Sequence, residues 1–375
     1  LAKFDLTNQA ASAVAVATLQ AASGWSISSL EQKTVKRSPL APYTTSTLQQ
    51  DANRRLGYSA TQTMVLAQHL YEGIELSEGS VGLITYMRTD STNLAEKFLG
   101  ETQNFVKNSL GEAYAVGAKR YSTKSKNAQE AHEAIRPTDV TRHPDTLKEQ
   151  LKSPEWRLYN LIWRRAVASQ LPEALFEHTS ADVTADDHIF RAVGSRLTFD
   201  GFLAVWQEKR EDNILPKLAQ GDKVTLASLA PEQHFTEPPA RYSDASLVKA
   251  LESYGIGRPS TYAPTIGTVI ARGYVERMER RLKPTDLACL VNDVLVEHFP
   301  EVVDYEFTAK LEGELDDIAE GKAEWVPIIR SFYQPFKGHI TAKYEEVQKK
   351  DLTETATYEV CEKCSSPMII KVGRF

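Results

Sequence analysis

Gly82-Leu83-Ile84-Thr85-Tyr86-Met87-Arg88-Thr89-Asp90-Ser91-Thr92 is the stretch on which the reading of this chain turns. Ile84, Thr85 and Tyr86 are β-branched or aromatic, so the spacing predicts a strand. Successive side chains of a strand point to opposite faces, which puts Tyr86, Arg88 and Asp90 on one face, roughly 7 Å between neighbours. A phenol, a guanidinium and a carboxylate make a poor core. They suit a nucleophile beside a phosphate clamp. Free tyrosine, with a pKa of about 10, is a weak nucleophile at neutral pH. A neighbouring cation stabilises the phenolate, and the planar guanidinium also grips phosphate oxygens in bidentate fashion. The plainer reading, a half-buried strand aromatic beside a solvated arginine, leaves the polar Thr-Asp-Ser-Thr ending unexplained.

Two helical units share one plan. In the first, residues 46–56 read as a helix, 57–58 as a turn, and 59–62 as a capping box opening a helix to about residue 71. A loop at 73–79 leads to the Tyr86 strand. In the second, residues 243–254 form a helix with Ser243 as N-cap, and 255–257 a turn. Pro259-Ser260-Thr261 starts another helix to Arg272, Gly273 ends it, and 274–277 with 281–283 read as a two-stranded wing. Helix, turn, helix and wing is the layout of winged-helix DNA-binding units. Residues 25–37, 176–183, 189–193, 196–199 and 223–229 alternate or run apolar, which argues β. A helical unit therefore reads as inserted into a β-rich one. An Ala-rich helix is expected at 10–22, and a long charged helix at 310–346 interrupted by Gly321 and Pro327.

Two further segments carry chemistry. In 127–137, a helix would set Gln129, His132, Glu133 and Arg136 on one polar stripe, ended by Pro137. It is no His-Glu-x-x-His zinc motif, for no second histidine follows. In 253–262, glycines, Arg258 and hydroxyls gather at a helix N-terminus, whose free N–H groups and dipole favour phosphate. Turn-and-cap chemistry alone would select the same residues.

The chain has 375 residues and a formal charge of −6, long enough for two to four domains. Its basic residues cluster at 33–37, 54–55, 119–126 and 272–283, while acid concentrates in 297–324. That distribution permits DNA binding without establishing it. No window is apolar enough to span a bilayer. The 3 cysteines exclude a disulfide framework and suit a reducing cytosol. Cys289 reads as core filler; Cys361 and Cys364 form a Cys-x-x-Cys on a turn, half of a tetrahedral zinc site.

The 82–92 string resembles the active-site segment of type IA DNA topoisomerases, and its Tyr-Met-Arg-Thr-Asp-Ser-Thr form is similar to the bacterial, relaxing branch. Residues 39–86, 128–139, 239–274 and 305–325 resemble further family segments in order, so the likeness covers nearly all of 1–360. It implies a multidomain α+β protein in a toroidal arrangement. A β-rich arch (1–45 with 173–241) would carry an inserted winged-helix-like domain with the tyrosine (46–172). A second winged-helix-like DNA-binding domain (242–350) and a truncated zinc-ribbon segment (351–375) would follow. It also implies relaxation of negatively supercoiled DNA through a 5′-phosphotyrosine and strand passage, with single-stranded DNA and supercoiled duplex as partners.

By the same resemblance Tyr86, Arg88, Asp90 and His132 are catalytic, Arg136 holds the backbone, and Arg258, Thr261, Tyr262 and Arg272 contact the single strand. Relatives bind Mg2+ through a Glu and an Asp-x-Asp pair on an N-terminal domain. No such pair is found here, and the doublets Asp186-Asp187 and Asp316-Asp317 read as surface. The chain is therefore expected to begin after that domain, to have it as a partner, and to be catalytically incomplete alone. Zn2+ is expected only in a longer tail, leaving Cys361 and Cys364 unoccupied. ATP is not expected, for no Gly-x-x-x-x-Gly-Lys-Ser/Thr loop exists. The location implied is cytoplasmic, with no membrane partner. The alternatives are a non-enzymatic winged-helix DNA-binding protein and the decatenating type IA subgroup.

Overall fold

The computed structural model describes residues 6, 8–22, 24–77, 79–122, 132–209, 211–347 and 354–371. The chain opens with α1 (Gln9–Gln20), whose first turn is capped by the Asn8 carboxamide accepting from the Ala11 N–H at 2.9 Å. Then comes β1 (Trp25–Arg37), one long strand.

Residues 38–173 then leave the sheet. A Thr44/Thr47 capping box starts α2 (Thr45–Asp51), which runs into a five-residue π-turn, Ala52–Leu56. Gly57, at φ +76°, ends that turn in the left-handed region that glycine tolerates. Ser59 caps α3 (Ala60–Glu72), followed by the short hairpin of β2 (Ile74–Leu76) and β3 (Gly79–Val81). Two longer helices complete this unit, α4 (Glu96–Ser109) and α5 (Ser153–Ser169). Leu158, Tyr159, Ile162, Ala166 and Val167 of α5 are all fully buried, so this helix is the axis of the main apolar core.

The chain returns to the sheet as β4 (Ala174–Ala185), antiparallel to β1 with Arg37 opposite Ala174 and Ser26 opposite Thr184. β5 (His188–Phe199) pairs with β4, and β6 (Lys223–Val224) closes the other edge in the order β5-β4-β1-β6. Two adjacent strands are thus separated in sequence by the whole helical unit.

The second unit comprises α6 (Asp244–Ser253), α7 (Tyr262–Ala271) and the hairpin of β7 (Val275–Met278) with β8 (Arg281–Pro284). It continues as α8 (Asp286–His298), α9 (Pro300–Val303), α10 (Tyr305–Ala319) and α11 (Trp325–Glu346). No residue of α8 to α11 is fully buried; Phe299, Phe307, Phe332 and Phe336 interlock through their rings instead. The hairpin of β9 (Glu354–Val360) and β10 (Pro367–Lys371) follows.

Several expectations are corrected. Residues 82–92 form no strand; a single bridge, Ile84 to Pro137, stands where a ladder was expected. Residues 132–136 are extended, not helical, because Ile135 bridges to Tyr43; Gln129 and the rest of 123–131 lie outside the described residues. The loop at 73–79 contains β2 and the start of β3. Strand character at 223–229 stops after Val224. Pro327 sits in the first turn of α11, where no intrahelical N–H is required, and interrupts nothing; Pro335 lies inside the helix. Cys289 is exposed, since α8 buries no residue.

The two helical units meet through α2 against α6 and α3 against α7, over a small apolar cluster of Ala60, Val248, Tyr262, Ala263 and Ile266. Asp244 fixes this contact. It is 1% exposed, accepts the Ala60 N–H at 2.9 Å and takes both guanidinium arms of Arg277. Asp244→Ala leaves one orphan N–H at the start of α3 and one half-buried cation. The expected loss is about 1–3 kcal/mol, read as a fall of several degrees in melting temperature. Glu101→Ala, at the exposed pair with Lys97, serves as control and should cost less than about 0.5 kcal/mol. An Asp244→Ala protein that melts like the parent would remove this assignment.

Candidate active site

Burial along the 86–91 segment keeps a period of two without a sheet. Met87, Thr89 and Ser91 are buried, whereas Tyr86 is 42% exposed, Arg88 is exposed and Asp90 is partly so. Hydroxyl groups supply the missing ladder. On one side the Thr45 N–H donates to the Thr89 carbonyl at 2.8 Å, and the Thr89 N–H donates back to Thr45 Oγ1 at 2.9 Å. Thr45 Oγ1 in turn donates to the Met87 carbonyl at 2.7 Å. On the other side the Thr85 N–H donates to the Arg136 carbonyl at 2.9 Å, and the Arg136 N–H to Thr85 Oγ1 at 3.0 Å. The same hydroxyl donates to the Ala134 carbonyl at 2.7 Å. The segment is pinned on both sides and turns Tyr86, Arg88 and, in part, Asp90 outward, while Thr89 and Ser91 face in.

Tyr86 meets the ring of Tyr71 on α3 edge-on, centroids 5.3 Å apart. The sequence offered no signal for Tyr71 beyond its place at the end of a helix. Asp90 has its carboxyl pushed above the usual range, first by loss of solvent and then by Asp316, while the charges of His132 and Arg258 pull it down. That places Asp90, His132, Arg258 and Asp316 in one electrostatic neighbourhood, drawn from four distant stretches of chain.

Arg258 is held by two acids of α10: Nη2 to Asp316 Oδ2 at 2.6 Å and Nη1 to Glu312 Oε2 at 3.4 Å. Asp316 is therefore not the surface bystander expected. Glu312 and Asp316 lie four residues apart, so they share a helix face, and that spacing was the available clue. Thr261 accepts the Arg258 N–H on Oγ1 at 2.8 Å. Tyr262 is 7% exposed, and burial, then the Glu252 charge, push its phenol up to about 12.

Arg136 is committed internally. Its side chain is 13% exposed, pairs with Glu133 at 2.5 Å, donates to the Pro137 carbonyl at 2.9 Å and lies over the Phe98 ring at 4.7 Å. Arg272 is exposed at the far end of α7, about 15 Å from Tyr262 for ten residues of helix. Cys361 and Cys364 stand on the β9–β10 turn, where the Ser365 N–H donates to the Cys361 carbonyl at 2.8 Å. Hydrogen bonds from Ser366, then Cys361, hold the Cys364 thiol below its ordinary value. Among the described residues no group of three or more His, Cys, Asp or Glu side chains converges, so neither a magnesium cage nor a full zinc site is formed by them.

A family model described as DNA topoisomerase matches residues 2–330. The chain is also similar to full-length topoisomerase I from Thermotoga maritima, at 33% identity and a TM-score of 0.78, with 96% of this chain covered. It spans 59% of that protein's length.

The raised Asp90 carboxyl has a stability consequence. The folded chain binds that proton more tightly than the unfolded one, so the ionised group costs stability at neutral pH. The cost vanishes as pH falls below the ordinary carboxylate value of about 4. Asp90→Asn should stabilise at neutral pH, by less than about 1 kcal/mol given solvent screening, and not at about pH 4. Thermal melts at the two pH values test this; an equal shift at both would refute it.

Proposed function

The chain belongs to the DNA topoisomerase family, and on that footing we propose that it is a type IA enzyme relaxing negatively supercoiled DNA. Tyr86 Oη attacks a phosphodiester of a single strand, forming a P–O bond to tyrosine while the bond to the 3′ oxygen breaks. The 5′ end stays on the protein and the 3′ hydroxyl leaves. Arg88, exposed two residues away, stabilises charge on the phosphoryl oxygens. His132 takes the phenolic proton and returns it to the departing 3′ oxygen. Another strand passes through the gap, and reversal reseals it. One phosphodiester is exchanged for another, so no ATP is consumed.

The observation that carries this reading is the outward set of Tyr86, Arg88 and Asp90 on a pinned backbone. Arg258, Thr261 and Arg272 are assigned to the incoming strand, and Tyr262 to the wall beneath it. Magnesium is assigned to a separate N-terminal domain, for no acidic cage forms among the described residues. The chain alone is accordingly proposed to bind single strands but to cleave poorly. Zinc is assigned to a longer tail beyond the Cys361/Cys364 pair. No helix among the described residues is long and apolar enough to cross a membrane. A cytoplasmic location beside the chromosome follows from the DNA substrate.

The test is a denaturing gel after mixing the chain with labelled single-stranded oligonucleotide, magnesium and the N-terminal domain of a relative. The expected covalent adduct disappears in Tyr86→Phe and falls by about 10²–10³ in Arg88→Ala. Undiminished trapping by Tyr86→Phe would remove the nucleophile. Strand binding without any adduct from the parent would favour the non-enzymatic winged-helix reading, which the α6–α7 helices and β7–β8 hairpin favour on layout alone.

A further inference from the structure

Tyr254 closes α6 and Tyr305 opens α10, and their rings stack in the open. The centroids are 5.2 Å apart, the planes differ by 17°, and the residues are 54% and 67% exposed. Aromatic rings contribute most when buried. This pair leaves more than half of each residue open to solvent.

The surroundings select what could cover them. Tyr254 is followed by Gly255 and Gly257, both left-handed at φ +70° and +85°. A Cβ on Gly255 would stand 3.5 Å from Ala309 of α10, so the turn rides closely on that helix. Tyr305, Glu312 and Asp316 are seven and eleven positions apart and share one face of α10. Along the axis, Tyr305 lies about 10 Å from Glu312, a span of about three bases at 3.4 Å per step.

At the far end of that face Arg258 stands between Glu312 and Asp316, one cation to two anions. A phosphate approaching α10 from the tyrosine side must compete with these two carboxylates for Arg258. An uncharged, flat, polarisable group has no such obstacle.

We propose that the Tyr254–Tyr305 pair is a base-stacking platform for the single strand, taking a nucleobase on an outer ring face next to Arg258. The proposal rests on the strand-binding function above and adds a subsite to it. Stacking on aromatic rings tolerates every base, so the platform holds the strand without reading its sequence. Its tyrosines touch no group assigned to the chemistry and serve in binding alone.

The test measures anisotropy of a labelled single-stranded oligonucleotide with the full chain, using a normal strand and one of equal length carrying abasic positions. Tyr305→Ala and Tyr254→Ala should each weaken binding to the normal strand by about tenfold. The abasic strand should bind the parent more weakly and be indifferent to either substitution. Tyr305→Phe should bind as the parent does, and the emission of Tyr305→Trp should be quenched by the normal strand only. Should alanine destabilise the α6–α10 contact, Tyr305→Leu keeps an apolar filler without a π face and should lose affinity like alanine.

Parent-like affinity in the alanine and leucine variants, or an equal loss on both strands, overturns the platform and leaves the strand-binding reading standing. A parent chain that binds neither strand overturns both. An adduct unaffected by Tyr86→Phe strikes only the assignment of the nucleophile.

Discussion

The Thr45 hydroxyl and its neighbouring N–H are the constraint on which the site depends. Thr45 is the first residue of α2, where a helix leaves its N–H groups without intrahelical partners. Residues 83–91 belong to no strand ladder, so their buried carbonyls and N–H groups face the same deficit. Each need answers the other: the helix start satisfies Met87 and Thr89, and Thr89 satisfies the helix start. Thr85 repeats the arrangement toward residues 134–136. Leaving such groups unpaired costs about 1–3 kcal/mol each, so the register of the segment has little freedom. That register decides that Tyr86, Arg88 and Asp90 face outward while Met87, Thr89 and Ser91 face in.

The contact between the two helical units has a different character. Its buried apolar part is four small or medium side chains and one tyrosine, and much of the rest is polar. Asp244 bridges Ala60 and Arg277, while Glu252 accepts from Ser46 at 2.7 Å and from Gln50 at 3.4 Å. Groups of this kind regain hydration when separated, whereas a large apolar interface does not. The main core around α5 could not part so cheaply.

Much of this architecture was legible from local chemistry. Ser59 and Ser243 marked two helix starts because an N-cap is decided within four residues. The β7–β8 hairpin followed from breakers and alternation over a dozen positions. The outward face of residues 86–90 was right even though the strand was not, because period two belongs to extended backbone with or without a ladder. The misreadings came from partners far along the chain. Residues 132–136 carry a helical stripe, yet Ile135 finds Tyr43 and the chain stays extended. Asp316 looked like solvent-facing charge because its partner, Arg258, is 58 residues away. Cys289 sits in an apolar pattern whose helix buries nothing, since α8 to α11 are held by ring contacts at their margins.

Arg258 stands where the two carboxylates of α10 meet the turn after α6. A backbone phosphate at this guanidinium competes with Asp316 and Glu312. The Arg258–Asp316 pair is partly open, with side chains 29% and 30% exposed, so the ion pair holds Arg258 by no more than about 1 kcal/mol. A base settling on a nearby aromatic face contributes about 1–3 kcal/mol. Stacking therefore outweighs what the exchange gives up. The strand would be held first by rings that ignore charge, and Arg258 would turn from carboxylate to phosphate once the strand is already in place.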